Sequence, residues 1–503
     1  MQRNRLSLLL AAGMVLLLQT GDAATVWDKK LKGDEKIEHA LNRLAFGPKP
    51  GDAERVKKLG LEKWIAQQLE VSKSVEPVEP PELVARLEPL DSTRMPMGEM
   101  TAKYPPRQLM RALAKAMGKN PDEPIAPQRN MRDLRALRNA TPEARREEMA
   151  KRAPQLVVTS DLIENKIYRA VYSERQLEEV LVDFWFNHFN VYLNKGPVRH
   201  LVTSYERDAI RPYVLGKFGD MLRATAEHPA MLVYLDNWQS VDPQAVARMR
   251  RQPKRLRGLN ENYGRELLEL HTLGADGGYT QKDVVEVARC FTGWTVGGVL
   301  QDPKFLFAER LHDKGEKTVL GQKIAAGGGK EDALKVIDIL AAHPSTAKFI
   351  SRKLAQRFVA DEPPQQLVDR MAATFTKTGG DLREVMKTMI QSREFFSEGA
   401  YRAKMKSPFE MVVSAVRAVN ADVRSAMTLS RSIDELGQPL YRKEEPTGYG
   451  NTSEDWVSTA GLLARMNFSQ SLTQNKLRGV TVAEESLARD QALKLGAPEF
   501  QRR

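Results

Sequence analysis

The sequence predicts an all-α fold, a large multi-helical array with one small β-hairpin near residues 305–324. Leu, Ala, Arg, Glu, Met and Lys together outnumber Val, Ile and Thr, which favours helix over strand. Apolar residues recur at helical spacing through most of the chain, and the sequence has no repeat of fixed period. With 503 residues, 42% apolar and 28% charged, the chain is globular in composition and long enough for two or three substructures.

Residues 1–23 have the pattern of a cleaved signal peptide. Arg3 and Arg5 lie in a basic start, residues 6–18 are apolar, and small residues follow at 21–24. Roughly 13 apolar residues are too few to span a bilayer, which takes ~20. No later run of 18 apolar residues appears. We therefore expect a periplasmic or secreted protein with no stable membrane insertion after signal cleavage.

The cysteine content limits the chemistry. Cys290 is the sole cysteine, so the chain has no internal disulfide, no Cys-x-x-Cys-His haem attachment and no zinc site of several thiolates. Nucleotide-binding and His-Glu-x-x-His motifs are also missing. The sequence thus predicts no covalent c-type haem and no nucleotide motif, and it leaves a metal site open.

The first part of the chain divides into two segments. Residues 24–70 read as an N-terminal helical unit, in which Asp34 can cap a helix carrying Ile37 and Leu41. Gly60 suits the end of the next helix. Residues 71–158 are rich in proline and charge, which predicts helical fragments separated by irregular chain.

The rest of the chain divides into four segments. Residues 159–300 form a central helical region, which contains the run DFWFNHFNV and the polar helix, our name for residues 260–274. In residues 301–330, apolar and polar residues alternate weakly, which predicts the β-hairpin with its turn at residues 312–315. A Gly-rich turn follows in the same segment. Residues 331–482 predict a C-terminal helical array, and residues 483–503 are a charged tail.

The polar helix carries an unusual density of ionisable side chains among its leucines. Glu266, Glu269 and His271 are the candidate catalytic residues, for general acid–base work or a carboxylate–imidazole metal site. Glu269 and His271 face about 200° apart on a regular helix, so they share a ligand only if the helix ends between them. The alternative is a helix held by buried charge-assisted hydrogen bonds.

Candidate binding residues lie on the same helix and in two other stretches. They are Asn262, Arg265, His188, Asp236 and Asn237. His188 falls in line with apolar positions, where a histidine packed in the core is the simpler interpretation.

The net charge of +12 is dispersed, apart from six cations within residues 248–257. A solvated loop explains that run, and binding to an anionic surface or polymer is the alternative. We expect no nucleic-acid partner, because the basic residues lack interleaved aromatic residues and the chain is predicted to be exported.

Several stretches together resemble a large bacterial family known as domain of unknown function 1800. The matching pieces are HALNRLAFGPKPGDAERVKKLGLEKWIAQQL, DFWFNHFNV, MLVYLDNWQS, NENYGRELLELHTLGADGGYTQKDV with FTGWTV, HPSTAKFISRKLAQRFV, KSPFEMVVSAVRA and PTGYGNTSEDWVSTAGLLARMNF. They follow one another in order over nearly the whole mature chain, and residues 71–158 fit least well.

The resemblance implies an exported protein and assigns no catalytic role to any residue. It also implies a partner by association, a co-encoded secreted protein similar to alkaline phosphatases and sulfatases. Two hypotheses follow. The first is a hydrolytic or metal-assisted enzyme, or a ligand-binding protein, whose site uses the polar helix. The second is a non-catalytic accessory or binding protein. Convergence of the two histidine-bearing stretches would favour the first.

Overall fold

In the computed structural model, helices dominate the chain and the all-α prediction is confirmed. The structure describes residues 26–70, 79–118, 120, 141–248, 258–484 and 491–503. The predicted signal peptide and residues 249–257 of the basic run lie outside the described residues, as do parts of the 71–158 and 483–503 segments.

Most helices of the first half begin where the sequence supplies proline or a capping side chain, or directly after a glycine. They are α1 Asp34–Arg43, α2 Asp52–Leu59, α3 Leu61–Leu69, α4 Pro81–Leu87, α5 Met97–Lys103, α6 Arg107–Ala116, α7 Pro142–Arg152, α8 Pro154–Tyr172, α9 Gln176–His188, α10 Val198–Ser204, α11 Phe218–Glu227, α12 Pro229–Tyr234, α13 Pro243–Ala247, α14 Glu261–Leu268 and α15 Gln281–Cys290. Two π-helical segments, Tyr205–Ile210 and Glu269–Leu273, follow α10 and α14 directly.

The second half of the described chain is also mainly helical. Its helices are α16 Glu331–Ala342, α17 Pro344–Phe358, α18 Gln365–Thr378, α19 Leu382–Ile390, α20 Pro408–Ala418, α21 Ala426–Glu435, α22 Thr459–Thr473, α23 Gln491–Gly496 and α24 Pro498–Gln501. Ser407 opens α20 with a capping box, in which its hydroxyl accepts the Glu410 N–H and the Glu410 carboxylate accepts the Ser407 N–H.

Strands within the described residues form three antiparallel pairs. They are β1 Trp294–Gly297 with β2 Lys304–Phe307, β3 Lys317–Val319 with β4 Gln322–Ile324, and β5 Asp422–Val423 with β6 Val480–Thr481.

The predicted turn of the hairpin was wrong. The turn is formed by Leu320 and Gly321, which both have positive φ (49° and 77°), as a two-residue hairpin turn requires. His312, expected in the turn, is buried 3.2 Å from the Asp332 carboxylate, and β2 pairs with β1 instead.

One large core connects the predicted segments. Its buried apolar residues run from Ile37 to Leu495, so the N-terminal unit, the central region and the C-terminal array pack on shared side chains. A smaller cluster of Met100, Tyr104, Val157 and Val158 lies beside it. Among the described helices, none is both long enough and apolar enough to cross a bilayer.

The polar helix lies directly against its neighbour in sequence. Where α14 crosses α15, a Cβ added to Gly264 would lie 2.8 Å from the Val284 carbonyl oxygen and 3.2 Å from the Ala288 nitrogen. Only glycine permits this close backbone approach, which fixes α14 against α15. The opposite side of α14 is left to carry the ionisable residues.

Candidate functional site

The polar helix begins with a side-chain cap and ends in a π-helical turn. The Asn260 side-chain oxygen accepts the Tyr263 N–H, and its amide donates to the Leu235 carbonyl at 2.7 Å. From Glu269 the helix widens, so that the Gly274 N–H donates to the Glu269 carbonyl five residues back. Gly274 has φ 80° and ends the turn. π-Helical turns are frequent at functional sites, so this segment is a candidate functional site.

The π-turn brings the two histidine-bearing stretches together. The Nε2 atom of His188, at the end of α9, lies 3.1 Å from the backbone carbonyl oxygen of His271. The two ring centroids are 6.3 Å apart. A carbonyl can only accept, so Nε2 of His188 carries the proton and donates, and its Nδ1 is unprotonated in the neutral ring. The two histidines, 83 positions apart in the sequence, are therefore brought into contact by the fold.

Both histidines lie in an aromatic part of the core. His188 is 2% exposed and His271 is 3% exposed. Trp185 and Phe349 flank His188, and Phe189 flanks His271 at 5.2 Å between centroids. Burial, helped by the nearby positive charge of Lys353, lowers the pKa of His271 to about 3. The pKa of His188 is also lowered, mainly by burial, so both rings are neutral at pH 7.

Each histidine ring keeps one nitrogen without a partner. Nδ1 of His188 and Nε2 of His271 are buried and make no hydrogen bond with any described residue. Leaving such atoms unsatisfied costs roughly 1–3 kcal/mol each, so this pair is retained at the expense of stability.

The two carboxylates of the polar helix lie on its outer side. Glu266 and Glu269 are three residues apart and both are half-buried. The Tyr279 hydroxyl donates to Oε2 of Glu269 at 3.0 Å. Glu266 makes no hydrogen bond or ion pair with the described residues, and burial, then the neighbouring Glu269 charge, raises its pKa. The structure thus separates the candidate catalytic residues into an accessible carboxylate pair and a buried histidine.

The other candidate binding residues do not join this pair. Asp236 forms an ion pair with Lys195 at 2.8 Å, and the Asn237 amide donates to the Phe291 and Trp294 carbonyls. Arg265 donates to Gln281, and Asn262 is exposed. Their contacts are local ones, which stabilise the ends and sides of neighbouring helices.

Over the described parts of the chain, no three His, Cys, Asp or Glu side chains are grouped so as to hold a metal ion.

Sequence reasoning missed three residues around the pair. Tyr234 is buried at the end of α12, and its pKa is raised by burial and by the charge of Glu266. Tyr279 donates to Glu269 as described, and its pKa is raised to about 12, first by burial. Lys353 on α17 is half-buried, with its pKa lowered by burial to about 8. In the sequence, Lys353 is one cation among many in an amphipathic helix. The one available signal was its position four residues after Phe349, because residues at that spacing share one face of a helix.

The end of α9 also holds the loop of residues 443–451. The Asn187 amide donates to the Tyr449 carbonyl and its oxygen accepts the Tyr449 N–H. The Asn190 amide donates to the carbonyls of Lys443 and Glu445. Gly448 is required there, because it has φ +71° and an added Cβ would lie 2.2 Å from the Asn187 carbonyl oxygen.

Comparison with known proteins gives a family. A family model described as "Protein of unknown function (DUF1800)" matches residues 39–501, which include the polar helix, α9 and the 443–451 loop. No curated protein and no solved structure matches the chain.

The buried histidines predict a loss of stability in acid. Four histidines are buried and have lowered pKa values: His39, His188, His200 and His271. Below about pH 6.5 these histidines bind protons in the unfolded chain but stay neutral in the folded chain. Their stabilising effect is complete above pH 6.5 and decreases as the pH falls toward 4. Each contributes a slope of up to ~1.4 kcal/mol per pH unit to the free energy of unfolding.

Urea unfolding at pH 7.5, 6 and 5 measures this slope. His188→Gln keeps a donor for the His271 carbonyl and removes one titrating ring, so its slope should be smaller than that of the wild type. His343→Asn is the control, because His343 is only partly buried and its side chain caps α17. A wild-type stability that is constant from pH 7.5 to 5 would contradict the assignment of neutral buried rings.

Proposed function

The chain belongs to the DUF1800 family of proteins of unknown function, and from that premise we propose a function on the chemistry of the polar helix. The protein is exported to the periplasm or secreted, and it hydrolyses a polar substrate at the outer side of α14. Glu266 is the general acid and Glu269 is the general base. The buried histidines position the helix and do not touch the substrate.

The observation that carries this proposal is the environment of Glu266. A half-buried carboxyl group without a hydrogen-bond or ion-pair partner among the described residues is costly to keep. Its pKa is raised by burial and by Glu269, which favours the protonated form that a general acid needs. A carboxyl group that destabilises the folded protein and has a raised pKa is more typical of a functional site than of a structural one.

The environment of Glu269 differs from that of Glu266. The Tyr279 hydroxyl donates to Glu269 and holds its carboxylate in place, whereas Glu266 has no such donor among the described residues. Two neighbouring carboxyl groups in unlike environments divide naturally into acid and base. In the reaction, Glu269 takes a proton from the attacking water while Glu266 gives its proton to the leaving oxygen, so that the protons balance.

Stability at two pH values tests the role of Glu266 before any substrate is known. Because its folded pKa is raised above its unfolded value, ionised Glu266 destabilises the folded protein at pH 7 and has little effect near pH 4. Glu266→Gln should therefore raise the melting temperature at pH 7, by on the order of 1 °C, and leave it unchanged at pH 4. Glu261→Gln is the matched control, since the exposed Glu261 already accepts a hydrogen bond from Gln281.

The same variants are then assayed on chromogenic esters, phosphate esters, sulfate esters and glycosides. Wild type and Glu261→Gln should turn over one class, with Glu266→Gln and Glu269→Gln reduced on the order of 10²-fold or more. Elemental analysis of the same preparations tests the metal-assisted variant of the reaction. A melting temperature lowered at pH 7 by Glu266→Gln, or turnover unaffected by it, would overturn the proposal.

A second candidate function is partner binding, favoured by an apolar surface at the C-terminal side. Five large apolar side chains there are between 38 and 73% exposed: Val457, Leu462, Leu463, Met466 and Leu493. Contiguous exposed apolar groups mark protein–protein contacts. The partner we propose is the co-encoded secreted protein similar to alkaline phosphatases and sulfatases.

Co-purification of the two proteins tests this second function. Leu463→Glu should abolish the complex, because it replaces a 59% exposed apolar side chain of this surface by a charge. Val84→Glu, at a 54% exposed position on α4, should leave the complex intact. Equal recovery of the partner with both variants would exclude this surface.

A further inference from the structure

We propose that a second site, on the other side of α9, binds a small oxyanion. A cavity of about 50 Å³ lies between the end of α9, the last turn of α17 and residues 438–456. One water requires about 10–15 Å³ of such space, so the cavity has room for a molecule of the size of phosphate, sulfate or acetate. It is distinct from the carboxylate pair on the polar helix, and neither proposal depends on the other.

The cavity is lined by an arginine that is not fully paired. Arg357 is 3% exposed, and its Nη2 atom forms an ion pair with Glu410 at 2.6 Å. Its Nη1 atom is buried and has no hydrogen-bond partner among the described residues. A buried guanidinium N–H without an acceptor is costly, and a bound oxyanion would satisfy it.

Positive charge is in excess around this arginine. Arg503 also lines the cavity and lies 3.1 Å from the same Glu410 oxygen, so two guanidinium groups share one carboxylate. Arg43 lies behind them, fully buried, and donates only to the Val359 and Ala400 carbonyls. Arg43 thus adds a further buried positive charge near Glu410 that no described carboxylate pairs directly.

The two acidic side chains that line the cavity are both compensated. Asp183 pairs with Lys166 at 2.9 Å, and Glu410 pairs with the two arginines. Lys166 also lies 3.9 Å from Glu206. The negative charge is therefore concentrated at the Lys166 side of the cavity, and the positive charge at the Arg357 side.

Neutral side chains supply two more donors. The Gln438 oxygen accepts the Phe409 N–H, while its amide nitrogen has no partner among the described residues. The indole N–H of Trp456 is likewise without an acceptor in the described chain. The Asn187 side chain already bonds to the Tyr449 backbone, and the Tyr449 hydroxyl donates to the Pro439 carbonyl. The groups of Gln438 and Trp456 without partners are thus both donors, which is the chemistry that an oxyanion requires.

Calorimetry and thermal melts with inorganic phosphate, sulfate and acetate test the site. Each anion is titrated at constant ionic strength against chloride. At least one should bind the wild type with a stoichiometry near one and raise its melting temperature. Gln438→Glu keeps the acceptor for Phe409 and replaces the free donor by a charge that repels an anion, so affinity should fall at least tenfold.

Two further variants separate the site from general charge effects. Arg357→Lys keeps the charge beside Glu410 and removes the free Nη1 donor, and it should also weaken binding. Gln470→Glu changes the net charge equally at an exposed position of α22 and should bind as the wild type does. If Gln438→Glu does not fold, Trp456→Phe removes a donor without adding charge. The absence of binding by all three anions, or equal binding by wild type and the cavity variants, would overturn the proposal.

Discussion

The hydrogen bond from His188 to the His271 carbonyl is the constraint on which the arrangement of the polar helix depends. The π-turn moves backbone carbonyls out of the regular helical pattern, and the His271 carbonyl accepts from His188 within the aromatic part of the core. Removing the donor would leave a buried carbonyl unsatisfied, at roughly 1–3 kcal/mol. The bond requires a proton on Nε2 of His188, and burial lowers the pKa of His188, so the ring that donates is the neutral one.

The end of α9 connects the polar helix with the 443–451 loop. His188 fixes the polar helix on one side, and Asn187 and Asn190 fix the 443–451 loop on the other. The carboxylate pair of Glu266 and Glu269 and the cavity of Arg357 are thus positioned by one short stretch of helix. Polar side chains in this aromatic run are tolerated because each of the three makes at least one hydrogen bond to backbone.

Much of the fold was predictable from the sequence, because helical periodicity and capping residues act locally. The site was predictable only in part. Density of charge identified Glu266 and Glu269, whereas Asp236, chosen on the same ground, forms an ion pair with Lys195. The hairpin turn was misplaced because Leu320 has positive φ, which a leucine rarely adopts. Arg357 could not be identified from the sequence for another reason, since only tertiary packing buries it beside Glu410 and leaves its Nη1 atom without a partner among the described residues.

Nitrogen-15 NMR of the histidine rings tests the central contact most directly. In protein labelled on histidine, with His188 assigned from the His188→Gln spectrum, the ring should be the neutral Nε2–H tautomer at pH 7. Its Nε2–H proton should be protected from exchange, and the ring should stay neutral at pH 5. An Nδ1–H tautomer, or a His188 ring that titrates near pH 6.5, would contradict the hydrogen bond to His271 and the positioning role derived from it.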